Sequence, residues 1–150
     1  MSAAEWFERG YQLGMSGNYT DAAKAFSKVL ELSPQSANAY YNRGGSYYKL
    51  GSYQQAIKDF NKAIELNPQI ADTYNNRGVA YYELGNYHKA INDYNKAIEL
   101  NPQIAKAYHN RGNAHDKLGN PQQKIKDYKI AARLGDKDSQ DYLRSKGIEW

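Results

Sequence analysis

Three stretches of the chain say nearly the same thing: YYNRGGSYYKLG at Tyr40–Gly51, YNNRGVAYYELG at Tyr74–Gly85 and YHNRGNAHDKLG at Tyr108–Gly119. They start 34 residues apart, and the same interval separates Pro34, Pro68 and Pro102, as well as Gly10, Gly44, Gly78 and Gly112. A fixed period of this length marks an array of stacked supersecondary units. Trp6, Tyr40, Tyr74, Tyr108 and Tyr142 keep the step too. The period predicts a single domain over 1–150, with units at about 3–36, 37–70, 71–104 and 105–138 and then a tail.

Each unit reads as two helices. Tyr40, Gly44, Tyr47 and Leu50 fall on one helical face, and Gly51 supplies a left-handed stop with Ser52 able to cap the next helix. Ala56, Phe60, Ala63 and Ile64 then follow at helical spacing until Asn67-Pro68 ends the run. In the fourth unit Asn120-Pro121 opens the second helix, with proline in its first turn. A final capping helix is expected over about 139–146, carrying Tyr142 and Leu143 onto the last unit, with a tail at 147–150.

This pattern resembles the tetratricopeptide repeat: Tyr74, Gly78, Tyr81, Ala90, Tyr94, Ala97 and Pro102 match the order of the family's signature residues. Departures sit at the ends, with Leu13 and His115 where a tyrosine is expected and Lys124 in place of the first alanine. Terminal units lack a neighbour on one side and are expected to be atypical. The resemblance implies an all-α, right-handed α-α superhelix of four helix-turn-helix repeats, whose concave wall is made by the first helix of each unit.

Angular position at about 100° per residue then assigns side chains to that wall. Asn42, Asn76 and Asn110 point into the hollow, with Tyr11, Tyr41, Tyr48, Tyr82, Asn75, Lys106, His109 and Asn113. Asparagine is a mediocre helix former, but its amide offers an acceptor and two donors, enough for a peptide backbone. A column of three resembles an asparagine ladder found in the family; Glu8 breaks it in the first unit. The other reading is surface shared by duplication. Of fifteen tyrosines, the four outside core-type positions, Tyr11, Tyr41, Tyr48 and Tyr82, all fall on this face. They serve either as binding anchors or as packing between units. The wall is apolar early (Phe7, Tyr11, Met15) and basic-polar late (Lys106, His109, Asn113, Lys117), predicting a ligand with a bulky apolar residue near the first unit and an acidic group or free carboxylate near the fourth.

The family's chaperone-tail clamp does not carry over. In the last three units its five positions fall on Tyr41, Gly45, Asn76, Lys106 and Asn110, of which only Asn76 and Lys106 fit. Arg9, Arg43, Arg77 and Arg111 lie towards the helix pair, with a structural role and the guanidinium reaching outward. Asp59, Asp93 and Asp127, set among lysines, read as a charged outer face.

Composition narrows the function. The chain has 150 residues, no cysteine and a net charge of +4, with a mean hydropathy of −0.92. Thiolate metal sites and cysteine nucleophiles are excluded. No apolar run approaches the roughly 18 residues that cross a bilayer, and MSAAEWFERG reads as no secretory leader. The expectation is a soluble chain, cytoplasmic rather than secreted, with no membrane contact. Glu8, Asp72, Glu83 and Asp116 on the concave wall argue against a phosphate track, so no nucleic acid is expected. No nucleophile, base and orienter converge, and no cofactor or metal is expected. What remains is a noncatalytic module that binds an extended segment of a protein partner. The alternative is a self-assembling structural module, a homo-oligomer using its repeat ends and the apolar tail Ile148-Glu149-Trp150.

Overall fold

Nine helices and no strand make up the computed structural model, which describes residues 1–150. The side chains of Ser2, Asn18, Ser36, Asn86 and Asp136 cap five of them by accepting a backbone N–H, whereas Ser52 and Asn120 stand at the N-cap without a side-chain bond. The helices run α1 (Ala3–Met15), α2 (Tyr19–Leu32), α3 (Ala37–Lys49), α4 (Tyr53–Leu66), α5 (Ala71–Glu83), α6 (Tyr87–Leu100), α7 (Ala105–Lys117), α8 (Pro121–Arg133) and α9 (Lys137–Ser145). Within each unit the turn is made by Gly17, Gly51, Gly85 or Gly119, with φ between +76° and +82°, where a Cβ would be strained. The Ser52 N–H reaches back to the Tyr47 carbonyl at 2.9 Å, closing the helix end. Between units, the Tyr74 and Tyr108 hydroxyls donate to the Pro68 and Pro102 carbonyls at 3.0 and 3.1 Å. The aromatic that opens each of these units thus fastens the turn before it.

Paired helices lie close because one position on the first helix has no side chain. A Cβ at Gly78 would stand 2.7 Å from Cε1 of Tyr94 and 3.2 Å from the Ala90 carbonyl oxygen. Phe26, Phe60, Tyr94 and Tyr128 each fill this notch in their own unit, and all four are buried. The hydrophobic core is therefore a row of small clusters, one after another along the solenoid. Helices α1, α3, α5 and α7 touch in succession, which places them on the inner wall.

The aspartates expected on the outer face are inside. Asp59, Asp93 and Asp127 are 4%, 4% and 0% exposed. Each accepts two hydrogen bonds from the arginine sixteen residues earlier: Arg43 at 2.8 and 2.8 Å, Arg77 at 2.8 and 2.6 Å, Arg111 at 2.9 and 2.7 Å. The third guanidinium nitrogen binds the preceding unit, at Ser27, Asn61 or Asn95. So the guanidinium does not reach out to solvent. It joins two second helices to one first helix, flanked by rings such as Tyr74 at 5.7 Å and Tyr81 at 6.0 Å. Arg9 has no such mate, because Ala25 stands where the aspartate would be, and its charge rests over Trp6 instead.

Helix α9 begins at Lys137, two residues earlier than the pattern suggests, because Asp136 rather than a later residue caps it, accepting from the Ser139 N–H at 2.9 Å. Gly147 ends it at φ +67°. Ile148 then joins the cluster of Tyr128, Ala132 and Leu143, and Arg144 lies 5.5 Å from the Trp150 ring. The apolar tail is thus engaged by its own chain.

Candidate functional site

The first helices present one open face, because their other faces hold the glycine notch and the arginine. Three cavities run along it. The first, about 220 Å³, is bounded by Tyr11, Met15, Tyr19, Phe26 and Tyr41. The second, about 210 Å³, lies among Gly45, Tyr48, Lys49, Phe60 and Val79. The third, also about 210 Å³, is lined by Tyr48, Tyr82, Glu83, Asn110 and Asn113. Neighbouring cavities share walls: Gly45, Lys49 and Asn76 border the first two, Tyr48 and Val79 the last two. The result is one trough crossing four units.

Two glycines open the trough at its early end. A Cβ on Gly14 or Gly45 would meet nothing within 4 Å. Neither position is a tight turn or a close approach, so the missing side chains simply leave space. A larger cavity of about 490 Å³ sits between α3 and α4 beside Arg43, Asp59, Lys62 and Glu65. Four of its charges pair with one another, Arg43 with Asp59 and Lys62 with Glu65, leaving Lys58 as its one unpaired charge.

The asparagine column is only half open. The Asn76 amide donates to the Tyr41 hydroxyl at 2.9 Å, and the Asn110 amide to Oδ1 of Asn75 at 3.1 Å. Both bonds reach 35 residues back, to the preceding first helix. For Asn42 that position is Phe7, which has no acceptor, and the amide turns to the Asn38 carbonyl of its own helix at 2.8 Å. One donor of the Asn76 and Asn110 amides therefore braces the wall, while that of Asn42 is spent within α3. All three carboxamide oxygens lack a partner in the chain yet are not sealed, since the only buried unpartnered side-chain atom is Nδ1 of His115. Asn42 and Asn76 border the first cavity and Asn110 the third, which brings these unpartnered acceptors to the trough.

The tyrosines divide similarly. Tyr48 and Tyr82 lean on Tyr53 and Tyr87, ring centroids 5.5 and 5.2 Å apart, and their hydroxyls have no partner in the chain. Burial first, then neighbours including Glu83, hold both phenols above their ordinary range, so they stay neutral donors. Tyr41 is half-buried against Phe60, and Tyr11 is 47% exposed.

Four expected groove residues have their polar groups already engaged within the chain. Asn75 is buried, at 7% exposure, and spent on Asn110. Asn113 borders the third cavity, but its side-chain Oδ1 accepts from the Tyr128 hydroxyl. His109 stacks on Tyr128 at 4.8 Å and lies 3.0 Å from both Asp136 and Ser139; burial lowers its pKa and keeps it neutral. Lys106 lies 3.3 Å from Asp136 and 3.4 Å from Asp138, and these carboxylates outweigh burial in raising its pKa. The basic notch expected to receive a partner's carboxylate is thus filled by acids at the start of α9.

No helix is long and apolar enough to cross a membrane. Family sequence models described as "Tetratricopeptide repeat" match residues 71–104 and 93–126, and one described as "TPR repeat" matches 10–51 and 44–85. Among curated proteins no match is found. Solved structures are similar over most of the chain. A crystal structure of MamA is 30% identical, covering 92% of this chain and 81% of that one, with a TM-score of 0.84. MamA from Desulfovibrio magneticus RS-1 is 25% identical, covering 93% and 78%, also at 0.84. The first TPR of Spaghetti (RPAP3), bound to the HSP90 peptide SRMEEVD, is 26% identical, covering 79% and 94%, at 0.77.

Proposed function

Starting from a chain that belongs to the tetratricopeptide repeat family, we propose that it is a noncatalytic interaction module holding an extended segment of a partner protein along the trough. The observation that carries this reading is the row of unpartnered carboxamide oxygens beside contiguous cavities. An extended peptide presents N–H groups at regular steps, and Asn42, Asn76 and Asn110 supply acceptors while Tyr48 and Tyr82 supply donors. The cavity between Tyr11, Met15 and Tyr41 takes a bulky apolar side chain. A partner's acidic group meets Lys117 rather than the already paired Lys106. A relative of the same fold holds a short peptide, which supports a short segment as the ligand class. A chaperone tail is disfavoured, since the clamp positions Tyr41, Gly45 and Asn110 do not fit and Lys106 is engaged.

A peptide-display selection followed by titration tests the reading. Affinities on the order of micromolar, about 8 kcal/mol, suit a flexible segment that loses entropy on binding. Asn76→Ala and Asn110→Ala are expected to weaken capture, while Lys62→Ala, on α4, leaves it unchanged. Equal losses from all three variants would count against the trough.

A further inference from the structure

Met15, Lys49, Glu83 and Lys117 occupy the same position in successive units, 34 residues apart, near the C-terminal ends of α1, α3, α5 and α7. All four are exposed. Other charges on or beside the first helices are spent, Arg43, Arg77 and Arg111 on buried aspartates, Lys106 on Asp136 and Asp116 on Lys124, and Glu8 accepts from Gln12. Lys49, Glu83 and Lys117 have no ionic partner anywhere in the chain, and Met15 and Lys49 border the first cavity while Glu83 borders the third. On the opposite rim, Ala4, Asn38, Asp72 and Lys106, only Asp72 is an unpaired charge. One edge of the trough therefore reads apolar, positive, negative, positive.

Building on the groove reading above, we propose that this edge selects the partner by charge register. The ligand is an extended segment with a large apolar side chain followed by acidic, basic and acidic residues, one per unit. Packed neighbouring helices stand about 8–10 Å apart, and an extended chain advances about 3.3 Å per residue. The register is therefore about three residues per unit, the basic residue facing Glu83 and the acidic residues facing Lys49 and Lys117. A slip of one unit in either direction leaves two like-charged pairs facing one another and takes the apolar side chain away from Met15, so the edge also rejects misregistered chains.

Four fluorescently labelled, end-blocked peptides test this by anisotropy against the full chain. The matched peptide carries tryptophan, then glutamate, lysine and glutamate, each separated by two Gly/Ser spacers. The second is its reversed sequence, which allows for chain direction; the third exchanges the signs of the charges; the fourth replaces them with serine. The matched peptide, in one direction, is expected to bind about tenfold more tightly than the exchanged one, with the neutral peptide between, as several exposed ion pairs acting together would give. Added salt narrows that gap. The triple variant Lys49→Glu, Glu83→Lys and Lys117→Glu, all at exposed positions, is expected to invert the order. Equal binding of all peptides, or an unchanged order in the triple variant, overturns the register while leaving the trough as a peptide site. Failure of every peptide, neutral included, overturns the register and the groove reading together.

Discussion

Arg77→Met probes the bond network that ties the units together. In the wild type, Asp93 is 4% exposed and both its oxygens accept from Arg77, at 2.8 and 2.6 Å. Removing the guanidinium leaves a buried carboxylate without compensation, at a cost of about 3–5 kcal/mol. Two ring contacts, to Tyr74 and Tyr81, go with it, each contributing about 0.5–1 kcal/mol. For a chain of this size each kcal/mol moves Tm by about 2–4 °C, so the variant should melt on the order of 10 °C lower. Burial raises the pKa of Asp93 above the ordinary carboxylate value even with Arg77 beside it. The folded state therefore binds that proton more tightly than the unfolded state, and its contribution falls as pH rises through the raised value. Without Arg77 the rise is larger, so the deficit of Arg77→Met shrinks as pH is lowered towards about 4. Adding Asp93→Leu should restore most of the loss at neutral pH. Urea and thermal denaturation followed by circular dichroism read all of this. A double variant as unstable as Arg77→Met alone, or a deficit independent of pH, would refute the reasoning.

Gly78→Ala forces a Cβ to 2.7 Å from Tyr94 and should lose about 1–2 kcal/mol in urea denaturation, overpacking outweighing the gain in helix propensity. Gly45→Ala meets open space and should gain up to about 1 kcal/mol while its methyl narrows the trough, so stability rises as peptide affinity falls. Asn76→Ala breaks the bond to Tyr41 and should cost about 0.5–1.5 kcal/mol, whereas Asn42→Ala, whose amide serves only its own helix, should be nearly silent in stability. Burial lowers the pKa of His109, so the stability it contributes is full above its unfolded value of about 6.5 and is lost as pH falls below that. Hydrogen exchange should accordingly find α9 less protected at acidic pH, and His109→Gln should flatten the dependence.

The architecture was legible because a 34-residue period is a long-range signal that survives variation in any one unit. The trough was legible in outline: Tyr48 and Tyr82 lie where helical geometry puts them. Angular arithmetic treats each helix alone, however, and that is where it fell short. It placed Lys106 and His109 on an open face but could not foresee α9 laying Asp136 and Asp138 across them. It placed Asn75 beside Asn76 without knowing that the next unit's Asn110 would reach back for it. The buried aspartates depart from the expected outer face for a different reason. Set among lysines they look like a solvated face, yet an arginine precedes each by sixteen residues in three units, and that joint recurrence was the available clue. Ala25, standing where the first unit would carry its aspartate, is the exception that fits, since Arg9 is left exposed.

The amide braces also make the order of the units matter. Each asparagine must find an acceptor presented by whichever unit comes before it: Phe7 offers none, Tyr41 offers a hydroxyl and Asn75 a carbonyl. A duplicate of the third unit spliced in behind the original would find Asn75 waiting and continue the array with its strut intact. Transplanting the first unit to that place would leave its successor's amide to curl back onto its own helix. Lengthening such a chain is therefore a matter of which module is copied, and only some copies inherit a fitted joint.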